Sequence, residues 1–390
     1  MMKQSKPAQS VQKKPNILLR ILAFLLGAAL LLGAVALVVF RDELNLDALR
    51  RWLNYRSIET SQTGQTEPFT HGGGDSLDIA CLEKGYLFSS TAGAHYYSFG
   101  GKELASQVVH TEKPVLSASD SCGVVYNAGG DCVYLFGSGH EPFVYTPDGG
   151  GILSARVNNS GWLAVTALQS HYRGAVTVLN ARHEPVISLN YSSAFVTDAI
   201  LSPDGKTVAV VTISQTDGKF QSTLHLHSTD KEEAFATVVL DGFTVLDMDF
   251  DASGLWLLGE SSLVTLSAKG ELQQEYRFDP GYLKGYALEG DGFALLLLGK
   301  YRAGSASHVV TVDHDAQPIA RQELTGQVLS MSACGRYVAL LSGRRLDIYT
   351  RDLELYATLE DTQSARHVAL SSDAGALLAN SQEAWLYIPS

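Results

Sequence analysis

Eight times along this chain a turn ending in glycine is followed by a strand's worth of apolar residues, and this recurrence constrains the fold more than any other feature. The clearest copy runs Ser202-Pro203-Asp204-Gly205 into Lys206-Thr207-Val208-Ala209-Val210-Val211-Thr212. The others centre on Gly85, Gly123, Gly161, Gly254, Gly292, Gly335 and Gly375, with successive spacings of 38, 38, 44, 49, 38, 43 and 40 residues. A period near forty residues with strand-like content is the signature of a β-propeller, in which each unit is one blade that buries its faces only against its neighbours. The expected fold is all-β: an eight-bladed β-propeller of four-stranded antiparallel blades, with seven blades as the alternative count. A repeat array grows by adding blades, so 390 residues fit one large domain. Propellers serve binding, scaffolding and catalysis alike, and the fold alone assigns no chemistry.

Outside the repeats, Ile21 to Phe40 is a run of twenty residues without a charge. As a helix it would be about 30 Å long and match a bilayer core. Lys3, Lys6, Lys13, Lys14 and Arg20 precede the run unopposed by any acidic residue, which places the tail on the cytoplasmic side. A cleaved signal peptide is the rival reading, because Ala34-Val35-Ala36 has the small-x-small form of a cleavage site. Yet Leu37-Val38-Val39-Phe40 continues the run past that site, and the whole is longer than a signal core. The expected organisation is a cytoplasmic tail over 1–16, a transmembrane helix over 17–40, a juxtamembrane amphipathic helix over 41–56, a flexible linker over 57–66 and the propeller over 67–390. The lipid bilayer is then a partner through 17–40, and the propeller lies outside a bacterial cytoplasmic membrane.

Within the juxtamembrane stretch, Leu46, Leu49 and Leu53 share a helical face with Trp52 and Tyr55 close by, while Arg50, Arg51 and Arg56 project elsewhere. Such a segment suits a headgroup layer or, alternatively, a dimer contact. From Ser57 to Thr66 only Ile58 is apolar, which reads as a tether. Without the five positive charges that precede the apolar run, 24 basic residues face 41 acidic ones, about −17 in formal charge. That balance argues against a nucleic-acid partner. The cysteines at 81, 122, 132 and 334 have no zinc spacing. Cys122 and Cys334 fall in distant blades, and the turn at Gly129-Gly130 sets Cys132 opposite Tyr126, so free thiols are expected.

In each blade the strand after the repeated glycine is nearly all apolar, as in Ala294-Leu295-Leu296-Leu297-Leu298 and Val338-Ala339-Leu340-Leu341, because neighbouring blades cover both its faces. The last unit stops after three strands, at Ser390. Glu67-Pro68-Phe69-Thr70-His71 is expected to supply the fourth, since an open blade would leave an unpaired edge.

The stretches Arg51-Trp52-Leu53-Asn54-Tyr55-Arg56, Ile152-Leu153-Ser154-Ala155-Arg156-Val157, Ser160-Gly161-Trp162-Leu163-Ala164-Val165-Thr166, Leu298-Gly299-Lys300-Tyr301-Arg302-Ala303-Gly304 and Leu346-Asp347-Ile348-Tyr349-Thr350 span most of the chain. In them it resembles a family of membrane-anchored propeller proteins of clostridial bacteria, a domain of unknown function numbered five-seven-one-one. The resemblance implies a membrane protein with an external propeller and adds no activity.

Candidate chemistry is sparse. Quinone-dependent dehydrogenases also use eight blades, but a repeated tryptophan motif locks theirs, and here Trp52, Trp162, Trp256 and Trp385 are the only tryptophans. No nucleophile elbow, His-Glu-x-x-His helix or phosphate loop occurs, so no catalytic residue and no cofactor are expected. His225 and His227 share a strand face at a spacing suited to zinc, without a visible third ligand. Asp247, Asp249 and Asp251 resemble the start of a calcium loop, but Leu258 stands where its bidentate glutamate belongs, so a polar strand edge near the channel is the competing reading. No metal site is expected.

The hairpins between second and third strands share one face of a propeller with the crossings between blades. Their tips carry Tyr172, Arg173, Lys219, Lys300, Tyr301, Arg302, Arg344 and Arg345. Guanidinium forks and flat phenol rings suit an acidic polymer or a protein segment; the competing reading is that tips carry charge for solubility. The chain is therefore expected to be a binding or scaffold module rather than an enzyme. The alternative is a cell-envelope hydrolase or quinone-type oxidoreductase working at the propeller centre.

Overall fold

The computed structural model describes residues 22, 24–28, 31, 46–137, 141–216 and 218–389. The chain divides into two compact units, 1–50 and 51–390. In the first, Leu22, Phe24 to Ala28 and Leu31 are helical, and Leu22, Phe24, Leu25, Leu26 and Leu31 are exposed. The tail expected over 1–16 and most of the membrane helix expected over 17–40 lie outside the described residues. No helix among the described residues is long and apolar enough to cross a membrane. Helix α1 runs Leu46–Tyr55.

The second unit is the expected propeller, with eight antiparallel sheets of four strands each. Seven blades are continuous in sequence: blade 1 spans 78–107, blade 2 spans 114–145, blade 3 spans 152–191, blade 4 spans 195–240, blade 5 spans 247–277, blade 6 spans 282–323 and blade 7 spans 330–359. Blade 8 takes three strands from 367–387 and its outermost from Phe69–Thr70. The first strands of successive blades lie side by side, and that of blade 8 lies against that of blade 1, so the first strands ring the centre and the fourth form the rim.

Burial follows from this layering. The second strands Gly85–Ser90, Leu163–Ala167, Phe293–Gly299 and Tyr337–Leu341 are buried at every residue, because each sheet face meets a neighbouring blade. Rim strands such as Leu272–Arg277 are mostly exposed. The core is divided among the blade interfaces. Between blades 7 and 8, Tyr337, Leu341, Ile348, Leu378 and Trp385 pack together, each contributing roughly 1.5–3 kcal/mol by burial.

Ring closure occurs where the sequence placed it. Phe69 pairs with Ala384 and Thr70 with Glu383. The ladder extends beyond them, with the Thr66 amide donating to Leu386 O at 2.9 Å and the His71 amide to Gln382 O at 3.2 Å. Phe69 also reaches across to blade 1, where its ring centroid lies 5.2 Å from that of Tyr97 and 6.2 Å from that of Phe88.

Three local expectations need revision. The segment 57–66 was expected to be a loose tether, yet Gln65 is buried and bridged to Tyr387, and Ile388 donates to Gly64 O at 2.8 Å. The blade supplies a strand edge that a composition reading does not see. The register in blade 2 is one residue later than expected, so that Tyr126 faces Val133 rather than Cys132. All four cysteines are free, and burial pushes the Cys81 thiol well up. Finally, the repeated glycines do not all serve one purpose. Gly161, Gly205, Gly254, Gly292 and Gly335 have positive φ. At Gly375 the preceding Ala374 takes that conformation instead, and a Cβ on Gly375 would meet Tyr55 Oη at 2.7 Å.

That last contact marks where the C-terminal half of α1 docks. Arg51 donates from Nη1 to Asp373 O at 2.6 Å and from Nη2 to Tyr356 Oη at 2.9 Å. Asn54 Nδ2 donates to Asp373 Oδ2 at 3.1 Å, and the Tyr55 hydroxyl donates to Asp373 Oδ1 at 3.3 Å. Burial, then the Asp373 charge, holds the Tyr55 phenol far above its usual range. Arg51 was expected to project away. It is buried instead, while Trp52 and Leu53 are exposed. Arg51, Asn54 and Tyr55 meet the blade, and Trp52 and Leu53 are left outward.

Candidate functional site

Antiparallel order within each blade puts the turn between second and third strands at the same end as the crossing to the next blade. Contacts at this end bear it out: Arg173 Nε donates to Ser192 O of the following crossing at 3.2 Å, and Lys284 Nζ, near the start of the first strand of blade 6, donates to Arg302 O at 2.6 Å. Tyr172 and Arg173 lie in the turn of blade 3, Lys219 in that of blade 4, Lys300, Tyr301 and Arg302 in that of blade 6, and Arg344 and Arg345 in that of blade 7. All eight are exposed on this one face. They remain spread over four blades instead of converging.

Their charges are also less available than the sequence suggests. Arg302 pairs with Glu260 at 2.9 Å. Arg345 donates from Nε to both oxygens of Asp347 at 2.8 and 2.9 Å and reaches Glu360 at 3.3 Å. These exposed pairs are worth little in stability, but they offset the charge of two of the six basic side chains. The Arg173 guanidinium lies 4.7 Å from the centre of the Phe195 ring.

Exposed aromatic surface is a second property of this face. In blade 4 the strands Thr207–Thr216 and Lys219–Ser228 pair along their whole length. The first strand of the blade ends its ladder at Phe195 with Ile213, and the fourth ends at Leu240 with Ser222. The pairs Ser214 with Gln221, Gln215 with Phe220 and Thr216 with Lys219 therefore have no strand on either side. Three pairs at about 3.3 Å each raise the hairpin roughly 10 Å above the sheet. Phe220 on this tip is 63% exposed, and Phe195 at its base is 53% exposed. The pleat puts Phe195, Ile213 and Phe220 on one side of the sheet. The Val245 amide donates to the Ser222 hydroxyl at 3.1 Å, which holds the crossing that carries exposed Leu246 against the hairpin. Tyr282 and Tyr301 are exposed at the same end of blade 6. The sequence reading missed Phe195, Phe220, Leu246 and Tyr282.

The second cluster lines the centre. Arg156, on the first strand of blade 3, donates to Asp198 of blade 4 from Nη2 at 2.8 Å and from Nε at 3.2 Å, and also to Asp247 of blade 5. Ser154 donates to Asp198 as well. Burial alone would lower the guanidinium pKa, but Asp198 and Asp247 outweigh it and hold it well above normal. One side chain thus ties three blades together. Tyr286 bonds to Asp247, and burial followed by the Asp247 charge raises its phenol.

Beside this group stand carboxyls without a cationic partner of their own. Asp249 is raised to about 7, first by burial and then by Glu289. Burial raises Glu289 and Asp78 too. Both are open to water though protein surrounds them, as befits side chains facing an internal channel. The polar-edge reading of Asp247 and Asp249 is the one the strand displays. Asp251 instead closes the turn, accepting from the Ser253 amide at 2.7 Å and the Gly254 amide at 3.1 Å. Among the described residues no group of three or more His, Cys, Asp and Glu side chains is arranged to hold a metal.

His225 and His227 make hydrogen bonds within the protein. His227 is buried, with Nε2 2.8 Å from Tyr191 Oη and Nδ1 2.8 Å from Glu232 O. His225 Nε2 lies 3.1 Å from Thr212 Oγ1. Burial lowers the pKa of both. Their nitrogens belong to the protein's own hydrogen bonds.

The C-terminal WD40 domain of Sif2 has a TM-score of 0.59 to this chain at 11% identity, covering 85% of this chain and 100% of that one. BamB from Moraxella catarrhalis has a TM-score of 0.49 at 13% identity, covering 82% and 96%. At such identities the likeness is one of fold. No curated protein matches the chain. A match over residues 53–360, taking in helix residues Arg56 and Tyr55, the Arg156 strand and the blade 4 hairpin, shows that this chain belongs to DUF5711, a family of unknown function.

Proposed function

We propose that the chain is a membrane-anchored, extracytoplasmic binding or scaffold module that grips a protein segment with the face carrying the blade 4 hairpin. The carrying observation is that hairpin, with Phe220 63% exposed on a tip free of flanking strands. Large aromatic side chains held on a rigid scaffold are the usual anchors of protein interfaces. The pairing of Arg302 with Glu260 and of Arg345 with Asp347 favours a protein over an acidic envelope polymer. The uncharged run from Ile21 to Phe40 and the basic residues before it support a single-pass anchor in a bacterial cytoplasmic membrane with the tail inside.

The test is photo-crosslinking from position 220 in native membranes, with position 235 as control, since Phe235 is also exposed, on the rim of the same blade. Adducts from 220 that are absent from 235, and that vanish when Phe195→Asp is added, are expected. The same adducts from both positions would sink the reading.

A second reading, a cell-envelope hydrolase or quinone-type oxidoreductase, draws on the channel carboxyls. Asp249, raised to about 7, stands near Glu289 with an appropriate pKa for acid–base work. Loss of physiological function in Asp249→Asn with the position 220 adducts retained would favour it.

A further inference from the structure

We infer that the groove beside the docked half of α1 is a binding site for the phosphate headgroup of an anionic phospholipid. This rests on the anchored reading above. The groove is open, has a volume of about 290 Å³, and is lined by Arg51, Trp52, Arg56, Ile58, Thr60 and Ile388 among others. Two arginines thus line one small space, and among the described residues neither guanidinium has a carboxylate within ion-pair distance.

Arg51 carries the argument furthest. It is 6% exposed, and its hydrogen-bond acceptors are both neutral, the Asp373 carbonyl and the Tyr356 hydroxyl. A guanidinium has five N–H donors in a fork that matches phosphate. Burying such a charge without a counter-anion is unfavourable, and an anion in the groove relieves it.

The remaining walls select a lipid over a free anion. Arg56 lies 5.5 Å from the Trp52 ring centre, and the indole is 57% exposed. Ile58 and Ile388 add apolar wall, and Thr60 adds a hydroxyl. Guanidinium, indole and aliphatic surface in one place suit the boundary between headgroup and acyl chain.

The test uses the full chain in nanodiscs of phosphatidylcholine, with and without phosphatidylglycerol, and counts lipids that stay bound in native mass spectrometry after release. Selective retention of phosphatidylglycerol by the wild type is expected. Arg56→Gln, which lies outside the Asp373 contacts, should retain it at least about ten-fold less, as fits one lost charge-assisted hydrogen bond. Arg51→Gln should abolish retention. Equal retention of the two lipids, or undiminished retention in Arg56→Gln, overturns the site. Inorganic phosphate that displaces phosphatidylglycerol stoichiometrically at equal concentration shows the ligand to be a free anion and overturns the lipid assignment. Alkaline extraction of native membranes separates the two readings. A chain that washes off overturns both, whereas one that resists washing yet retains no phosphatidylglycerol overturns the groove alone.

Discussion

Asp249 keeps its proton to about pH 7, whereas an ordinary aspartate loses it near 3.8. Between those values the folded protein holds a proton that the unfolded chain has released. Stability therefore falls as pH rises from about 4 to about 7, by an amount on the order of 2–4 kcal/mol. Asp249→Asn removes the ionisable group and should flatten this slope, leaving the variant about 2 kcal/mol more stable than the wild type at pH 8 and nearly equal at pH 4. Urea unfolding at the two pH values measures it, and a difference that does not grow with pH would refute the assignment. Little of this was legible in the sequence. Asp247 and Asp249 could be placed on a strand edge near the channel, but Arg156 and Asp198 sit 91 and 49 positions from Asp247. Only the ring geometry brings the three first strands together.

Among the elements, the blade 4 hairpin was half visible. The interval from Gly205 to Gly254, 49 residues, is the longest in the repeat, and the two long strands account for it. What the sequence could not show is that the flanking strands stop short, because strand ends depend on register across the sheet. The basic tips were placed on the right face, but the partners Glu260 and Glu360 come from another hairpin and a crossing, and Asp347, two residues from Arg345, was overlooked. Helix α1 shows the opposite failure. Leu49, Trp52 and Leu53 of its apolar stripe stay bare, while Arg51, read as projecting elsewhere, and Tyr55, read beside the stripe, are the residues that dock. The docking leans on Gly375, where a Cβ would meet Tyr55 Oη at 2.7 Å and Asp373 Oδ1 at 3.0 Å. Gly375→Ala should cost about 1–2 kcal/mol by overpacking and should speed tryptic cleavage after Arg51 and Arg56. Cleavage at the wild-type rate would show that the helix does not depend on this contact.

On the scale of the whole molecule, the ring was legible because a forty-residue period and a missing last strand admit few solutions. Its closure is open to measurement. Phe69→Ala removes a half-buried ring that packs on Phe88 and Tyr97, and should destabilise the propeller by about 2 kcal/mol. Leu272→Ala, on the exposed rim of blade 5, should change stability by less than about 0.5 kcal/mol. Equal midpoints for the two variants in urea would show that the closing strand contributes nothing.

The pairing of Phe69 with Ala384 also sets a timetable for synthesis. The closing strand leaves the ribosome among the first parts of the propeller, and its partner leaves last. At 5–20 residues per second the wait is roughly 15–60 s. Through that interval one strand edge of every nascent chain stands ready, and a neighbouring copy that finishes first has the matching edge. Crowded translation therefore carries a built-in route to strand-exchanged dimers, open to a chain only until its own last residues arrive.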